Sequence, residues 1–560
     1  MRRGVSVVNK KVCSFPILFA LLTLLIGTCA VVFPASAQAA PTATGSITVS
    51  GTVASSYDAY QIFSANVVDG DSDAKIATDL AWASDAVRDA ALPVLHSAGM
   101  PNSQTTAQEA AEWLNADSHL TSALSAQLAR SLQSSGAEPV ALNAGTAAEL
   151  SCGYWLIVAD DDAIAQGEAG TAPIMALVGG SAVTVKPKAA TPKVAKHVLE
   201  DSTAAWQKAA DATVADDLYW RLSATVPAGL TAYDTYTVRF VDTMSAGLDP
   251  SKVAASMRVY VAAGADGGFD VVACEGGNVG STPAKGWTDI TSQCKVSVDG
   301  NAFTVRTGDL IAALGGADAF AAGARVVAVY NAPLNSACNH GIAKGNPNEV
   351  YLRYPRSPFA DQSGDAGFTR TPSNDACAYT WDLALTKRGS DGDKPLAGAV
   401  LSIVDDRGRT LAADGTWDAE GKATVTTGED GRVTVSGVDS GKLEVRELKA
   451  PKGYTAFEGT RSVTVKAEGL DVDQVAAAKP KLTITAESPL RADSADGSTG
   501  SLEASLINTP TGTPPSITTG GFMPSTGDMA MYAAAAAAVA GAALIVVALL
   551  VKRGGGSHKE

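Results

Sequence analysis

Charged residues are scarce in this 560-residue chain, at 18%, and aromatic residues supply only 6%. Histidine occurs five times and cysteine seven times. Basic residues number 43 against 58 acidic ones, a formal net charge of −15, which argues against nucleic acid as the main partner because that would need a basic face. The phosphate-binding P-loop, the H-E-x-x-H zinc helix and the G-x-S-x-G nucleophile turn are all missing, so a hydrolase or nucleotide enzyme has no support and no cofactor is expected. The run DGDSD places Asp69, Asp71 and Asp73 at calcium-loop spacing but lacks the glycine and the distal glutamate. It reads as a solvated turn, and no metal site is expected. What the chain has in quantity is Gly (54), with Ala, Ser, Thr and Val, a composition that suits long β-rich modules. At about 150 residues per domain the length predicts three to four of them.

The two ends predict a compartment. Arg2, Arg3, Lys10 and Lys11 precede an apolar run over 12–33 that ends in Ala35, Ser36, Ala37, Gln38 and Ala39. Residues 1–39 therefore read as a secretory signal peptide, with cleavage after Ala37 or Ala39 both allowed. Residues 529–551 carry no charge and are long enough to span a bilayer core of about 30 Å as a helix. Lys552 and Arg553 follow and begin a basic tail, 552–560, that would stay inside. Removing both ends takes away seven of the 43 basic residues and two of the 58 acidic ones, which leaves a net charge of −20 on the exported part.

Between the ends, residues 40–187 mix strand-like segments (GSITVSGTV, YDAYQIFSANV, SCGYWLIVAD, APIMALVGG, SAVTVKPK) with the helix-favouring stretch TTAQEAAEWLNADSHLTSALSAQLARSLQ, and predict an α+β module. Residues 188–376 and 377–510 read as strands separated by Gly- and Asp-rich turns, and 511–528 as a flexible linker. Five cysteines lie outside the signal peptide. Export favours disulfides, with Cys274–Cys294 the first expectation and Cys338–Cys377 the second. Cys152 is left as a buried thiol, although spacing alone does not settle the connectivity.

Strand parity then brings out two constellations. Residues of equal parity share a face, so Lys196 falls with Val194 and Val198, Asp242 with Tyr236, Val238 and Phe240, and Asn348 with Val350, Leu352 and Tyr354. In the last module Lys387 falls with Leu383 and Leu385, Glu447 with Leu443 and Val445, and Asn508 with Leu502, Ala504 and Leu506. Each module thus directs a lysine, an acid and an asparagine toward its apolar side. Burial there lowers an amine pKa and raises a carboxyl pKa. An uncharged amine is a nucleophile, the acid can hydrogen-bond the asparagine carbonyl and shuttle a proton, and ammonia can leave. The product would be a Lys–Asn isopeptide bond. Parity alone leaves open a buried ion pair with an asparagine near the surface.

Resemblance sharpens these expectations. Residues 377–510 resemble the B-type repeats of collagen adhesins and pilins: Lys387 precedes PLAGA, Glu447 sits in ELKAPKGY against the E-box pattern E-T-x-A-P-x-G-Y, and Asn508 sits in LINTP. Residues 188–376 resemble fimbrial isopeptide-forming domains through TPKVAKHV, RFVDTMSAGL and GNPNEVYLRY. The resemblance implies a mainly β fold of tandem immunoglobulin-like β-sandwich modules behind the α+β module, with a C-terminal transmembrane helix. It assigns Lys196, Asp242 and Asn348 to one bond and Lys387, Glu447 and Asn508 to the other, with Asp242 and Glu447 catalytic and with Lys193 and Asn346 as nearby alternates. FMPSTGD before the apolar span resembles the cell-wall sorting signal L-P-x-T-G, with Met523 at the leucine position and Pro524, Thr526 and Gly527 retained. That resemblance implies that a sortase cleaves after Thr526. VTVKPKAATPK resembles the pilin motif of backbone pilins and makes Lys188 the inter-subunit acceptor, with Lys186 at the usual tyrosine position as the alternative. The expectation is a wall-attached backbone pilin whose partners are a sortase, other copies of itself head to tail and peptidoglycan, and which is not an enzyme toward external substrates. The competing expectation is a monomeric wall-anchored adhesin, or a tip or base pilin, that binds a host ligand.

Overall fold

The computed structural model describes residues 43–512 apart from 72, 73, 117 and 189. The signal peptide, the sorting motif with Pro524, Thr526 and Gly527, the apolar span and the basic tail lie outside the described residues. Among the described residues no helix is long and apolar enough to cross a membrane.

The architecture is mainly β, with helices confined largely to the first module. There the long strand Ser56–Asp69 pairs with Lys75–Trp82 on one side and with Gly153–Ala159 on the other, and Ile174–Val178 continues the sheet. The strand Thr44–Val49 pairs in parallel with Val183–Val185, which ties the start of the module to its exit. The Ala- and Leu-rich stretch expected as helix forms two, Ala107–Asn115 and Ser122–Ser134. The break has a local cause: Thr106 and Glu109 form a reciprocal capping box at one start, and the Thr121 hydroxyl accepts the Leu124 N–H at 3.1 Å at the other, so each start satisfies its own orphan donors. A third helix, Asp85–Ser97, packs with them through Val87, Ala91, Leu95, Leu124, Leu128 and Leu132.

The second module is a sandwich. Its six-stranded sheet runs Ala205–Gln207, Lys193–Glu200, Tyr219–Val226, Ala324–Asn331, Arg258–Ala263, Thr288–Asp289. The facing sheet includes Asn374–Tyr379, Asn346–Pro355, Arg239–Met244 and Ala302–Arg306 as consecutive neighbours. Trp220, Tyr236, Phe240, Phe303, Tyr330 and Tyr354 fill the space between them and are almost fully buried. Large aromatics few in number but concentrated here account for much of the burial available to the module.

In the third module the sheet Arg432–Val438, Trp381–Gly389, Ser501–Pro510, Tyr454–Thr455 faces one built on Val400–Val404, Gly441–Lys449, Thr460–Glu468 and Lys481–Ala486. The first and last strands are parallel neighbours, in register from Asp382 opposite Ser501 to Gly389 opposite Asn508. The modules are docked rather than strung. Arg130 of the first holds Asp234 at 3.1 Å and the Ala232 and Pro358 carbonyls of the second. Asp211 of the second accepts from the Trp381 indole at 2.6 Å and from the Ser440 amide and hydroxyl of the third.

Candidate functional site

In the second module the strand Lys193–Glu200 sends alternate residues inward, and Lys196 is fully buried while Lys193 is exposed. Across the sandwich Arg239–Met244 and Asn346–Pro355 pair with Asp242 opposite Val350 and Met244 opposite Asn348. That register puts Asp242 and Asn348 on the same inner face, both with no exposed surface. The Lys196 amine bridges the two sheets and donates to Asp242 Oδ2. Asn346, the alternate asparagine, is occupied structurally: its Nδ2 donates to the Asn339 and Ala378 carbonyls, and its Oδ1 accepts the Asn339 N–H.

One member of this site was not anticipated. The Tyr330 hydroxyl accepts from Lys196 Nζ at 2.8 Å and from Asn348 Nδ2 at 2.8 Å, and donates to Asp242 Oδ2 at 3.2 Å. One donor and two acceptor positions exhaust a phenol, so Tyr330 links amine, amide and acid. Its strand, Ala324–Asn331, carries it inward with Val326 and Ala328, a parity that the sequence contains. Burial and the Asp242 charge hold the phenol protonated far above its ordinary range.

Burial also governs the other two groups. Desolvation pushes Lys196 down to about 8 against the opposing pull of Asp242, and pushes Asp242 up to about 6 against Lys196. Two acceptors, Asp242 Oδ1 and Asn348 Oδ1, are buried without a partner. A proton on Asp242 turns one of these acceptors into a donor, and such orphans are costly while they last.

The third module builds the same chemistry more directly. Lys387 on Trp381–Gly389, Glu447 on Gly441–Lys449 and Asn508 on Ser501–Pro510 are at most 6% exposed. Lys387 Nζ donates to Asn508 Oδ1 and lies 3.1 Å from Glu447 Oε1. Asn508 Nδ2 donates to Glu447 Oε1 at 2.9 Å and to Oε2 at 3.0 Å. The expected arrangement had the acid on the asparagine carbonyl; instead the carboxylate faces the amide nitrogen and the amine faces the carbonyl. Phe457, also unanticipated, donates its backbone N–H to Glu447 Oε2 at 3.1 Å and places its ring 5.8 Å from Lys387 Nζ. Desolvation lowers Lys387 to about 8, with Glu447 opposing.

The remaining expected residues fall elsewhere. Lys186 and Lys188 are both exposed, just beyond the strand Val183–Val185, while Pro187 between them is buried. The Cys274–Cys294 disulfide is not formed; Cys152, Cys274, Cys294, Cys338 and Cys377 are all free thiols. Cys274 lies on the two-stranded ribbon Val272–Glu275 with Asn278–Pro283, whereas Cys294 follows the turn Thr291–Gln293 and directs its thiol to the Ile290 carbonyl at 3.3 Å. The second pairing fails for a similar reason: Cys338 faces His340 at 3.6 Å, and Cys377 packs with Tyr379 in the third core. Among the described residues no group of three or more His, Cys, Asp or Glu side chains is arranged to hold a metal ion.

Residues 382–479 match the SpaA prealbumin-like fold domain. The matched stretch contains Lys387 and Glu447 and stops short of Asn508. Over 143 residues the chain is 30% identical to the trypsin-resistant surface T6 protein of Streptococcus pyogenes serotype M6, a match that covers 24% of each. The chain thus spans about a quarter of the length of that curated relative. Similar solved structures include the T6 backbone pilin of serotype M6 Streptococcus pyogenes (17% identity, 84% of this chain and 98% of that one, TM-score 0.45). The full-length major pilin SpaD from Corynebacterium diphtheriae (15%, 83% and 98%, TM-score 0.39) and BcpA, the major pilin subunit of Bacillus cereus (11%, 84% and 99%, TM-score 0.37), are similar as well.

Proposed function

We propose that this chain is a shaft subunit of a covalently polymerised surface pilus, a substrate of sortase rather than an enzyme acting on external molecules, stiffened by two self-formed Lys–Asn isopeptide bonds. The observation that carries the reading is the pair of buried Lys–acid–Asn sites, each joining the first strand of its module to a strand near its end.

In the third module the neutral Lys387 amine attacks Asn508 Cγ. Glu447, within reach of both nitrogens, accepts the amine proton and delivers one to Nδ2. The Cγ–Nδ2 bond then breaks, the Nζ–Cγ bond remains, and ammonia leaves. In the second module Asp242 and the Tyr330 hydroxyl divide the same work, since Tyr330 touches both the attacking and the leaving nitrogen. Burial makes the step accessible without an outside catalyst. It lowers the Lys196 pKa and raises that of Asp242, so the two converge and moving the proton from amine to acid costs less than it would in water. The bond also removes a buried amine that would otherwise need a permanent counterion.

For polymerisation, the sortase acyl intermediate at Thr526 of one subunit is resolved by the Lys188 amine of the next. A head-to-tail contact of this kind does not close on itself and generates a filament. The exposure of Lys188 at the exit of the first module supports its access to an incoming enzyme. The test is Lys188→Ala in the expressing cell. High-molecular-weight ladders on denaturing gels are expected to vanish while monomer still reaches the wall. Ladders that persist refute Lys188 as the acceptor, and their absence from the parent strain refutes the shaft assignment in favour of a monomeric adhesin.

A further inference from the structure

The segment between the strands Ala324–Asn331 and Asn346–Pro355 crosses from the second module to the third and is held on both sides. Asn335 donates through its backbone to Gly247 and through its side chain to Ala246. Gly341 donates to the Thr380 carbonyl, and Ile342 to Gly497. Gly341 has a φ of +72°, and a Cβ there would lie 2.5 Å from the backbone of Thr499 and Gly500, so only glycine permits this approach.

Within that segment Cys338 Sγ lies 3.6 Å from His340 Nε2, and His340 Nδ1 lies 2.8 Å from Asp382 Oδ1. A carboxylate only accepts, so Nδ1 must carry the ring hydrogen of the neutral imidazole, and Nε2 presents a lone pair to the thiol. Asp382 is fixed in turn by the Ser436 hydroxyl at 2.5 Å and the Gly437 amide at 3.1 Å. Nucleophile and base come from the second module, while the orienting acid belongs to the third. This is the geometry of an activated nucleophile, with base and orienter in reach of each other. It uses none of the groups in either isopeptide site.

We propose that Cys338, His340 and Asp382 form a thiol-exchange site, assembled only when the two modules dock, that takes small disulfides. Cys338 S–H attacks one sulfur of R–S–S–R, and its proton passes to His340 Nε2. The S–S bond breaks, the Cys338–S–S–R bond forms, and the departing thiolate collects the proton as R–SH. Acyl chemistry is a poorer fit, because the neighbouring amides are committed: Cys338 N–H to Asn335 at 3.0 Å, Asn339 N–H to Asn346 Oδ1 at 2.8 Å and Gly341 N–H to Thr380 at 3.0 Å. An oxyanion would have to compete for these three donors, whereas exchange at sulfur needs none. Cys338 is 9% exposed and the His340 side chain 26% exposed, which favours a small reagent.

Burial first, and the Asp382 charge second, hold the Cys338 thiol up to about 11. Exchange near neutrality therefore depends on His340 as base, since the thiolate is rare. The test treats the folded exported chain with 2-hydroxyethyl disulfide from pH 5 to 10 and measures modification of each cysteine by peptide mass spectrometry. The Cys338 rate is expected to rise from pH 5 and then level, because His340 rather than free thiolate supplies the reaction with its base. His340→Gln is expected to slow Cys338 at pH 7.5 by at least tenfold and to replace the plateau with a rise that continues to pH 10; Asp382→Asn should fall between. Labelling of the buried Cys377 reports any variant that has unfolded, and in that case the profile of the parent protein decides alone. A Cys338 rate that climbs without levelling in the parent, that equals the folded His340→Gln rate, or that is undetectable would overturn the proposal.

Discussion

Lys387 and Asn508 lie on parallel neighbouring strands, two positions apart in the ladder: Lys387 stands opposite Leu506, and Asn508 opposite Gly389. The lysine side chain spans that offset to reach Asn508 Oδ1. Because the strands are the first and last of the module, tension on its two ends shears this ladder, and a covalent bond at Lys387 lies directly in the load path. The two residues are 121 apart in sequence.

Removing the acid should therefore separate folding from cross-linking. Glu447→Gln keeps the shape and the hydrogen-bonding capacity of the side chain but cannot take up the amine proton. The variant is expected to fold, to weigh one ammonia more than the parent at this module, and to lose on the order of 5 kcal/mol of stability, the magnitude of closing a loop of this length. Thermal unfolding and protease digestion check it, and equal resistance in variant and parent would count against the assignment.

Tyr330 should set the rate in the second module. Tyr330→Phe keeps the ring packed against Phe303 at 4.8 Å but removes the oxygen that joins Lys196, Asp242 and Asn348. Bond formation after refolding is expected to slow by at least tenfold, within the usual range for a lost proton-transfer group, while the third module is unaffected. Time-resolved intact mass measures both modules at once.

The pH dependence of that reaction follows from two titrations. Between about 6 and about 8 the uncross-linked Lys196–Asp242 pair holds one titratable proton, the state from which a neutral amine can face a neutral acid. Below 6 a second proton blocks the amine, and above 8 the acid lacks the proton needed by the leaving nitrogen. Refolded chain is expected to close this bond fastest between these limits. A rate that rises steadily to pH 10 would mean that the carboxyl proton plays no part.

Glu200, which accepts the Asp211 N–H at 3.1 Å, is expected to make stability beside the junction of the second and third modules depend on pH. Burial first, then the nearby Asp211, raises its pKa from 4.5 to about 7. A folded value above the unfolded one contributes stability that is complete below 4.5 and is lost as pH rises through 7. Glu200→Gln is expected to flatten the stability of a fragment covering both modules over this range, with a difference on the order of 3 kcal/mol at most. Denaturant unfolding at pH 4.5 and pH 8 measures it.

Much of the candidate chemistry was legible because strands obey a period of two. Lys196, Asp242 and Asn348 point inward from their strands, as do Lys387, Glu447 and Asn508, and the apolar residues around them reveal the inward face. Tyr330 obeys the same parity but escaped notice, since an inward tyrosine in a run of valines reads as core packing until its hydroxyl is seen to meet three partners. Phe457 acts through its backbone amide, which side-chain pattern does not encode. The orientation of the Asn508 amide depends on where Glu447 arrives from another sheet, a tertiary fact. Cysteine spacing misled because sequence proximity of Cys274 and Cys294 says nothing about which elements carry them. The division of the Ala-rich stretch into two helices was written in Thr106, Glu109 and Thr121, whose capping value outweighs the helix propensity on either side.

Each of the two β-sandwich modules is expected to weld its own strands. Intact mass of the purified exported chain, followed by peptide mapping, reads both bonds at once. The mass is expected to be lower than that of the unmodified sequence by two ammonia molecules, with branched peptides joining Lys196 to Asn348 and Lys387 to Asn508. A mass equal to that of the unmodified sequence, with all four residues recovered in linear peptides, would contradict it.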